Sequence, residues 1–490
     1  MQGFVASESG IVTRRPAMTK ATPIPPGIES PDQVHTRVGT LRFFDGVPDD
    51  ATVRTLFDNL DFQRAVQAYL LALPVLNIQA MRTALLKWGP VNSTAYVFED
   101  LMHPCTVWLT ANTSTSYTAI WIDLRDGPLV VEAPPGVLGA INDSWGRWVA
   151  DVGVSGPDKG EGGAYLLLPP GYDGEVPDGY FVVRTDSFGM VLFARGFLDE
   201  HGDPHPAVEV VKARTRAYPL ALADRPPSMR FVNVSPEPMV GVPPADFRAW
   251  EMLDEVVQSE PAESSDPLTL GFFASIGIRR GRPFDPDERM RAILTEAAAV
   301  GDATGRALTY RFREPAAYRH PGGAWRAIFL GGHRFEEDGV ALLDAAAQFN
   351  FSVIGISPAE DVEKVGAGSQ YVVACVDSEG APFDGKSAYR LRVPADVPAA
   401  DFWSVLVYDT QTRSMLQTGQ EWPSVTSQDR DFTTNDDGSV DIHFGPEQPE
   451  DGHNWIQTVP GKSWWAMFRL YGPLAPWFDR TWRLPDVEPV

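Results

Sequence analysis

A chain of 490 residues is long enough for roughly two to four domains with substantial cores. Its 43% hydrophobic content, with 14 Trp and 26 Phe, excludes a disordered polymer. The net charge of −24 argues against nucleic acid as a partner, because phosphate binding needs clustered Lys and Arg, and it disfavours anionic membranes. Two cysteines, Cys105 and Cys375, cannot make a disulfide framework or a cysteine-based zinc site. Each lies in an apolar run, so buried free thiols are expected.

Residues 1–48, rich in Pro, Gly, Ser and Thr, read as a partly mobile or surface-wrapped extension. It carries basic residues but no apolar segment of the kind a signal peptide needs, and no run in the chain approaches the ~18–20 apolar residues of a membrane span. A cytoplasmic protein without membrane contact is expected. Residues 49–90 read as a helix pair. Val66, Leu70 and Leu73, then Met81, Leu85 and Leu86, recur at helical spacing, with Pro74 as the break.

From 91 to 205 short aromatic and β-branched runs alternate with turn clusters, the text of an N-terminal β-sandwich. Residues 206–350 return to helix and read as a helical linker. Asp285-Pro286-Asp287-Glu288 is the clearest start signal, with Asp285 as the cap, and Gly301 is the expected stop. Asp246 is the expected cap of a helix carrying Met252, Leu253, Val256 and Val257. Strand text resumes over 351–490 as a C-terminal sandwich. Short strands at roughly 8–12-residue intervals indicate jelly-roll-like β-sandwiches, so the expected fold is mainly β with α segments, an α+β arrangement.

The two strand regions share a loose internal echo. SYTAIWIDLRDG and GYFVVRTDSFGMVLFARGF in the first are answered by FWSVLVYDTQTRSML and SWWAMFRLYG in the second. Each holds a strand ending in Asp with Arg shortly after, Asp123 with Arg125 and Asp409 with Arg413. Each closes on an aromatic strand carrying an Arg, Arg195 and Arg469. Two related β-domains are the expectation.

Longer segments carry a family resemblance. DFQRAVQAYLLALP (61–74), DKGEGGAYLLLPPGYDGEVPDGYFVVR (158–184) and GIRRGRPFDPDERMRAIL (277–294) resemble the DUF1254 family. YDTQTRSML (408–416), NDDGSVDIHFGPEQP (435–449) and NWIQTVPGKSWWAMFRLYGP (454–473) resemble its usual C-terminal partner, DUF1214. The resemblance implies a pair of jelly-roll-like domains and no assigned catalytic residues. Relatives commonly read Asn-Asn-Asp-Thr where this chain has Asn112-Thr113-Ser114-Thr115, so any chemistry of that Asp is in doubt here.

Familiar catalytic signatures are missing. Gly153-Val154-Ser155-Gly156 is not a nucleophile elbow, and Gly461-Lys462-Ser463 imitates a phosphate loop whose first Gly is replaced by Ile456. His201 and His205 read as exposed loop histidines and Asn435–Ser439 as a turn, so no metal and no cofactor are expected. The Asp–Arg pairs are the best chemical candidates. Residues an even number apart on a strand share a face, so each Asp could act as a base beside an oxyanion-binding Arg, or the pair could tie strands together.

Tyr408 beside Asp409, and His443 with His453, are further acid–base candidates. Trp145, Trp148, Trp464 and Trp465 could stack on a ring or a sugar, or simply pack. The catalytic candidates are therefore Asp409, Arg413, Tyr408 and His443. The binding candidates are Asp123, Arg125, Trp145, Trp148, Arg195, Trp464 and Arg469. The leading expectation is a cofactor-independent hydrolase or lyase using acid–base chemistry on a small polar or carbohydrate-like molecule. A non-catalytic small-molecule or glycan binder and a homo-oligomeric assembly protein are the alternatives.

Overall fold

The computed structural model describes residues 22–361, 363–450 and 452–490. The chain divides into a unit ending at Leu60 and a second unit, Asp61–Val490. The extension expected over residues 1–48 lies outside the described residues as far as residue 21. In the rest of it, β1 (Gln33–Thr36), β2 (Gly39–Phe44) and β3 (Val47–Pro48) form an antiparallel meander.

A single helix, α1 (Asp50–Leu85), replaces the expected pair and runs through Pro74 without a break. It is the one helix among the described residues that is long and apolar enough to cross a membrane, and its most apolar window is 72% buried within the protein. The strands that follow are β4 (Thr94–Phe98), β5 (Thr106–Val107), β6 (Thr115–Asp123), β7 (Leu129–Ala133), β8 (Val137–Asp143), β9 (Trp148–Gly153), β10 (Gly163–Leu168), β11 (Phe181–Arg184) and β12 (Gly189–Phe197). Helix α2 (His205–Arg214) leads to β13 (Arg216–Pro219), β14 (Arg230–Asn233) and β15 (Met239–Val240).

Three helices come next, α3 (Arg248–Ser259), α4 (Pro267–Ser275) and α5 (Glu288–Tyr310). Then come β16 (Arg326–Ala327), the ribbon β17 (Glu336–Glu337) and β18 (Val340–Ala341), and helices α6 (Leu343–Ser352) and α7 (Pro358–Asp361). The last strands are β19 (Ser369–Ala374), β20 (Tyr389–Val393), β21 (Ala399–Asp409), β22 (Ser424–Thr426), β23 (Val440–Gly445), β24 (Trp455–Gln457) and β25 (Trp464–Pro473). Helix α8 (Ala475–Phe478) and β26 (Glu488–Pro489) close the chain.

The architecture is mixed α and β, with several sheets and none closed into a barrel. In the first half the sheet orders are β14-β4-β6-β12-β8-β9 and β11-β10-β7-β13. In the second half they are β16-β19-β25-β21-β22 and β24-β23-β20-β26. Strand for strand the halves correspond, β14 being the one addition, and even the parallel edge pairs match (β10 with β11, β23 with β24). The internal echo is thus a repeated topology. Strands β13 and β14 extend the first pair of sheets past residue 205, into the segment expected to be a helical linker.

Alternation explains the burial. In β25 the residues Trp464, Ala466, Phe468 and Leu470 enter the core shared by the two C-terminal sheets, while Trp465 and Met467 enter a central core. In β6, Ile120 and Ile122 join the core of the N-terminal sheets, while Tyr117, Ala119 and Trp121 enter that same central core. The two large sheets therefore each have a second covered face, and their strands read as continuous apolar runs.

Helix α5 is capped by Asp287, whose side chain accepts the Met290 N–H, two residues later than the cap expected at Asp285. Gly301 does not stop it. A Cβ at Gly301 would stand 2.4 Å from the Tyr69 ring, so this glycine marks where α5 packs against α1. Gly to Ala inside a helix ordinarily stabilises by ~1 kcal/mol. Here Gly301→Ala is expected to destabilise by about 1–3 kcal/mol through overpacking, as read from urea unfolding.

Candidate functional site

A cavity of about 100 Å³, opening into a wider space, lies in the central layer. It is lined from both halves: Tyr117, Phe193 and Arg195 from the first, and Ser369, Tyr371 and Arg469 from the second. Register accounts for this convergence. Tyr117 pairs with Arg195 across β6 and β12, and Tyr371 pairs with Arg469 across β19 and β25. The repeat therefore presents the same cross-strand Tyr–Arg pair twice, both facing one cavity.

The Arg195 Nη2 donates to Glu360 Oε1 at 2.7 Å, and its Nη1 donates to the Tyr371 hydroxyl at 3.3 Å. The Arg469 Nη2 donates to the Thr110 carbonyl at 3.1 Å and to the Tyr408 hydroxyl at 2.7 Å, while its guanidinium lies 4.8 Å from the Tyr371 ring centre. Arg469 is only 3% exposed, and its Nε has no acceptor. The Tyr371 hydroxyl also shares a 2.7 Å hydrogen bond with Ser369 Oγ.

Burial pushes the Tyr371 phenol up, against the pull of Arg195 and Arg469. Tyr408 is raised to about 12, again chiefly by burial, and its hydroxyl donates to the Ala111 carbonyl at 2.8 Å. Burial works against the charge of Arg469, but the surrounding tyrosines, Tyr408 foremost, outweigh it and the guanidinium stays charged.

The Asp–Arg candidates resolve differently. Asp409 ends β21, but Arg413 lies beyond it in a turn at φ +59, so the two are not neighbours on one sheet face. Asp409 accepts the N–H groups of Gln411 and Thr412 and pairs with Lys462, which accounts for the phosphate-loop imitation. Arg413 is buried over the Phe351 ring at 4.3 Å and donates to the Phe351 and Gln411 carbonyls. Burial lowers its affinity for the proton.

Topology gives Asp409 a different counterpart from Asp123. Asp143 ends β8 as Asp409 ends β21, and Asp143 forms a 2.6 Å ion pair with Arg147, four residues on. Asp123 instead corresponds to Asp377 at the end of the β19 segment, where Oδ1 accepts the Glu379 and Ala381 N–H groups. Asp123 itself pairs with the largely exposed Arg125, which holds its carboxyl below the usual range against the upward push of burial. All four aspartates anchor turns after strands, because a short carboxylate can accept backbone N–H groups two to four residues on.

The remaining candidates are scattered. Trp145 is core, its Nε1 donating to Ser264 Oγ at 2.8 Å. Trp148 is half-buried, donating to Asp151. Trp464 is buried with its ring stacked on Phe383 at 4.1 Å, so it offers no platform to a sugar. His443 lies on β23, where Ile442 and Phe444 point into the C-terminal core, so its ring faces the other side of that sheet and away from Tyr408.

His201 and His205 are exposed, and His205 pairs with Asp203. The Asn435–Ser439 segment is a turn, with Gly438 at φ +80. Both cysteines are free, but each is half-buried and lies outside a strand. Of the candidate residues the structure brings together Arg195, Arg469 and Tyr408.

Sequence reasoning passed over Tyr117, Tyr371 and Glu360, and also His333, whose Nδ1 lies 2.9 Å from Asp361 Oδ2. Ser114 is buried and donates to Asn112 Oδ1 at 2.7 Å, beside the Tyr471 hydroxyl. A signal for the tyrosines was present. SYTAIWID (116–123) and QYVVACVD (370–377) each place Tyr six residues before the turn-forming Asp.

Comparison with known proteins agrees with this division. Residues 91–219 match the family model described as a protein of unknown function, DUF1254, and residues 368–475 match the one described as a protein of unknown function, DUF1214. The pieces at 61–74 and 277–294 that resemble DUF1254 lie outside those spans. No curated protein matches the chain.

Among solved structures, the VPA0106 protein from Vibrio parahaemolyticus is similar at 20% identity and TM-score 0.54, over 88% of this chain and 100% of that one, and so shares the fold. An uncharacterized protein from Burkholderia cenocepacia is matched at 14% identity over 90% of this chain and 96% of that one, with a TM-score of 0.39. The chain thus carries a segment matching DUF1254 followed by one matching DUF1214.

Proposed function

We propose that the chain is a small-molecule-binding protein whose site is the central cavity. The observation that carries this reading is the convergence of two Tyr–Arg pairs, one from each repeat, on a single space walled mostly by apolar side chains. Concave, largely apolar pockets with a few placed polar groups are the usual form of such sites. We infer that each sheet pair is a jelly-roll-like sandwich serving as a rigid wall. Two free cysteines and the mostly buried α1 support a protein working in the reducing cytoplasm.

A second reading, a cofactor-independent hydrolase or lyase acting on the bound molecule, is favoured by the Tyr371 hydroxyl. It hydrogen-bonds both Arg195 and Ser369, a position from which a phenol could give or take a proton.

One experiment tests the site. The protein is incubated with a metabolite extract, freed of unbound compounds by gel filtration and denatured, and the released compounds are identified by mass spectrometry. A parallel sample uses Ala140→Phe, which fills the cavity from its wall. A compound retained by the wild type and lost from the folded variant is expected. Equal retention by both, or retention by neither, overturns the proposal. Turnover of the retained compound on prolonged incubation separates the enzyme from the binder.

A further inference from the structure

Among the described residues, three charged side chains line the cavity: Arg195, Arg469 and Glu360. Two positive charges against one negative leave +1 in a space otherwise walled by groups such as Trp108, Phe193, Phe329 and Met467. Arg469 has no carboxylate partner among the described residues and an Nε without an acceptor, although it is almost wholly buried. A buried cation without an anion is costly, and in low dielectric it attracts an anion far more strongly than in water.

Arg195 does have a carboxylate, but an unusual one. Glu360 belongs to α7, a single turn at the end of a stretch from Val353 that itself forms part of the cavity wall. The Arg195–Glu360 pair is partly accessible, with 17% and 16% of the two side chains exposed. The two guanidiniums flank one residue: Arg195 donates to the Tyr371 hydroxyl and Arg469 lies over its ring.

We infer that the ligand of this cavity is a monocarboxylate with an apolar body, whose carboxylate replaces Glu360 on Arg195 and compensates Arg469. This rests on the reading of the cavity as a small-molecule site. A guanidinium fork can match a carboxylate in two-point fashion, and Glu360 already shows that a carboxylate reaches Arg195, through one Nη2–Oε1 bond. With Glu360 kept in the cavity wall after it releases Arg195, a single negative charge balances the excess of one, whereas a phosphate monoester dianion would overshoot it. The mostly apolar wall asks for an alkyl or aryl remainder, and its other polar groups among the described residues, such as Asn142 and Ser357, are uncharged.

The test is isothermal titration calorimetry of the full chain with octanoate, octan-1-ol and octylamine, on the wild type and on Glu360→Gln, each first shown to be folded by thermal melting. Octanoate is expected to bind at least tenfold more tightly than octanol, and octylamine more weakly than either. Glu360→Gln, having lost the internal competitor, is expected to bind octanoate about tenfold more tightly than the wild type. Octanol binding as well as octanoate overturns the carboxylate assignment and leaves the cavity standing as an apolar site. Unchanged or weaker octanoate binding by Glu360→Gln overturns the exchange with Glu360. No binding of any probe by either protein overturns both this inference and the cavity reading beneath it.

Discussion

Replacing Arg469 with methionine is expected to weaken octanoate binding about a hundredfold, which is ~2.7 kcal/mol, without lowering the melting temperature. The two halves of that result have separate causes. Binding falls because the central cation compensated by the ligand is gone. Stability is maintained because methionine has a similar length and no charge to bury, and replacing buried charges with apolar side chains is often neutral or stabilising.

The losses in Arg469→Met are the hydrogen bonds to the Thr110 carbonyl and the Tyr408 hydroxyl, ordinarily worth about 1 kcal/mol each. Tyr408 keeps its bond to the Ala111 carbonyl. Arg469→Lys restores the charge without the planar fork and is expected to bind with intermediate affinity. A fall of many degrees in the melting temperature of Arg469→Met would show that the arginine is a structural tie between β25 and the Thr110 segment, and the anion site would lose its main support.

The second large effect lies in the C-terminal core. Trp464→Ala is expected to cost about 4 kcal/mol, in the range for deleting a large buried ring. Trp464 is 1% exposed, stacks on Phe383 at 4.1 Å and on Phe444 at 5.0 Å, and meets Tyr389 edge-on at 5.5 Å. Such ring pairs add to the area term. Trp148→Ala, at a half-buried position on β9, is expected to cost well under half as much. Urea unfolding of both variants gives the comparison, with Trp464→Phe as a milder substitution should the alanine variant fail to fold. Equal costs would mean that the C-terminal core relaxes around the lost ring.

Much of the chain was legible in its text. The turn at Asn435–Ser439, the strand character of both β regions and their internal echo follow from alternation and turn chemistry, which act over a few residues. The helix start near Asp285 was found but misplaced by two residues, because both Asp285 and Asp287 satisfy the cap rule and tertiary packing chooses between them. Pro74 and Gly301 have the local chemistry of helix breaks. Both sit in helices whose packed faces outweigh the local penalty, and Gly301 is there because Tyr69 leaves no room for a side chain.

The Asp-ending strands of the echo are two strands out of phase. Asp123 and Asp409 look alike in text, yet β6 corresponds to β19 and β8 to β21, so the true partner of Asp409 is Asp143. Which strands lie side by side is a matter of pairing between residues far apart in the chain, and local periodicity does not encode it.

Alternation along β6, β12, β19 and β25 is written in the residues, and it dictates that Tyr117, Arg195, Tyr371 and Arg469 each share a face with the aromatic side chains beside them. Their meeting around one cavity is not written there. It depends on the two large sheets turning their second faces to the same central layer, and on α7 bringing Glu360 to Arg195 from 165 residues away. Burial of those faces is a property of the whole packed molecule, so the charge imbalance that defines the proposed site exists only once the chain is folded.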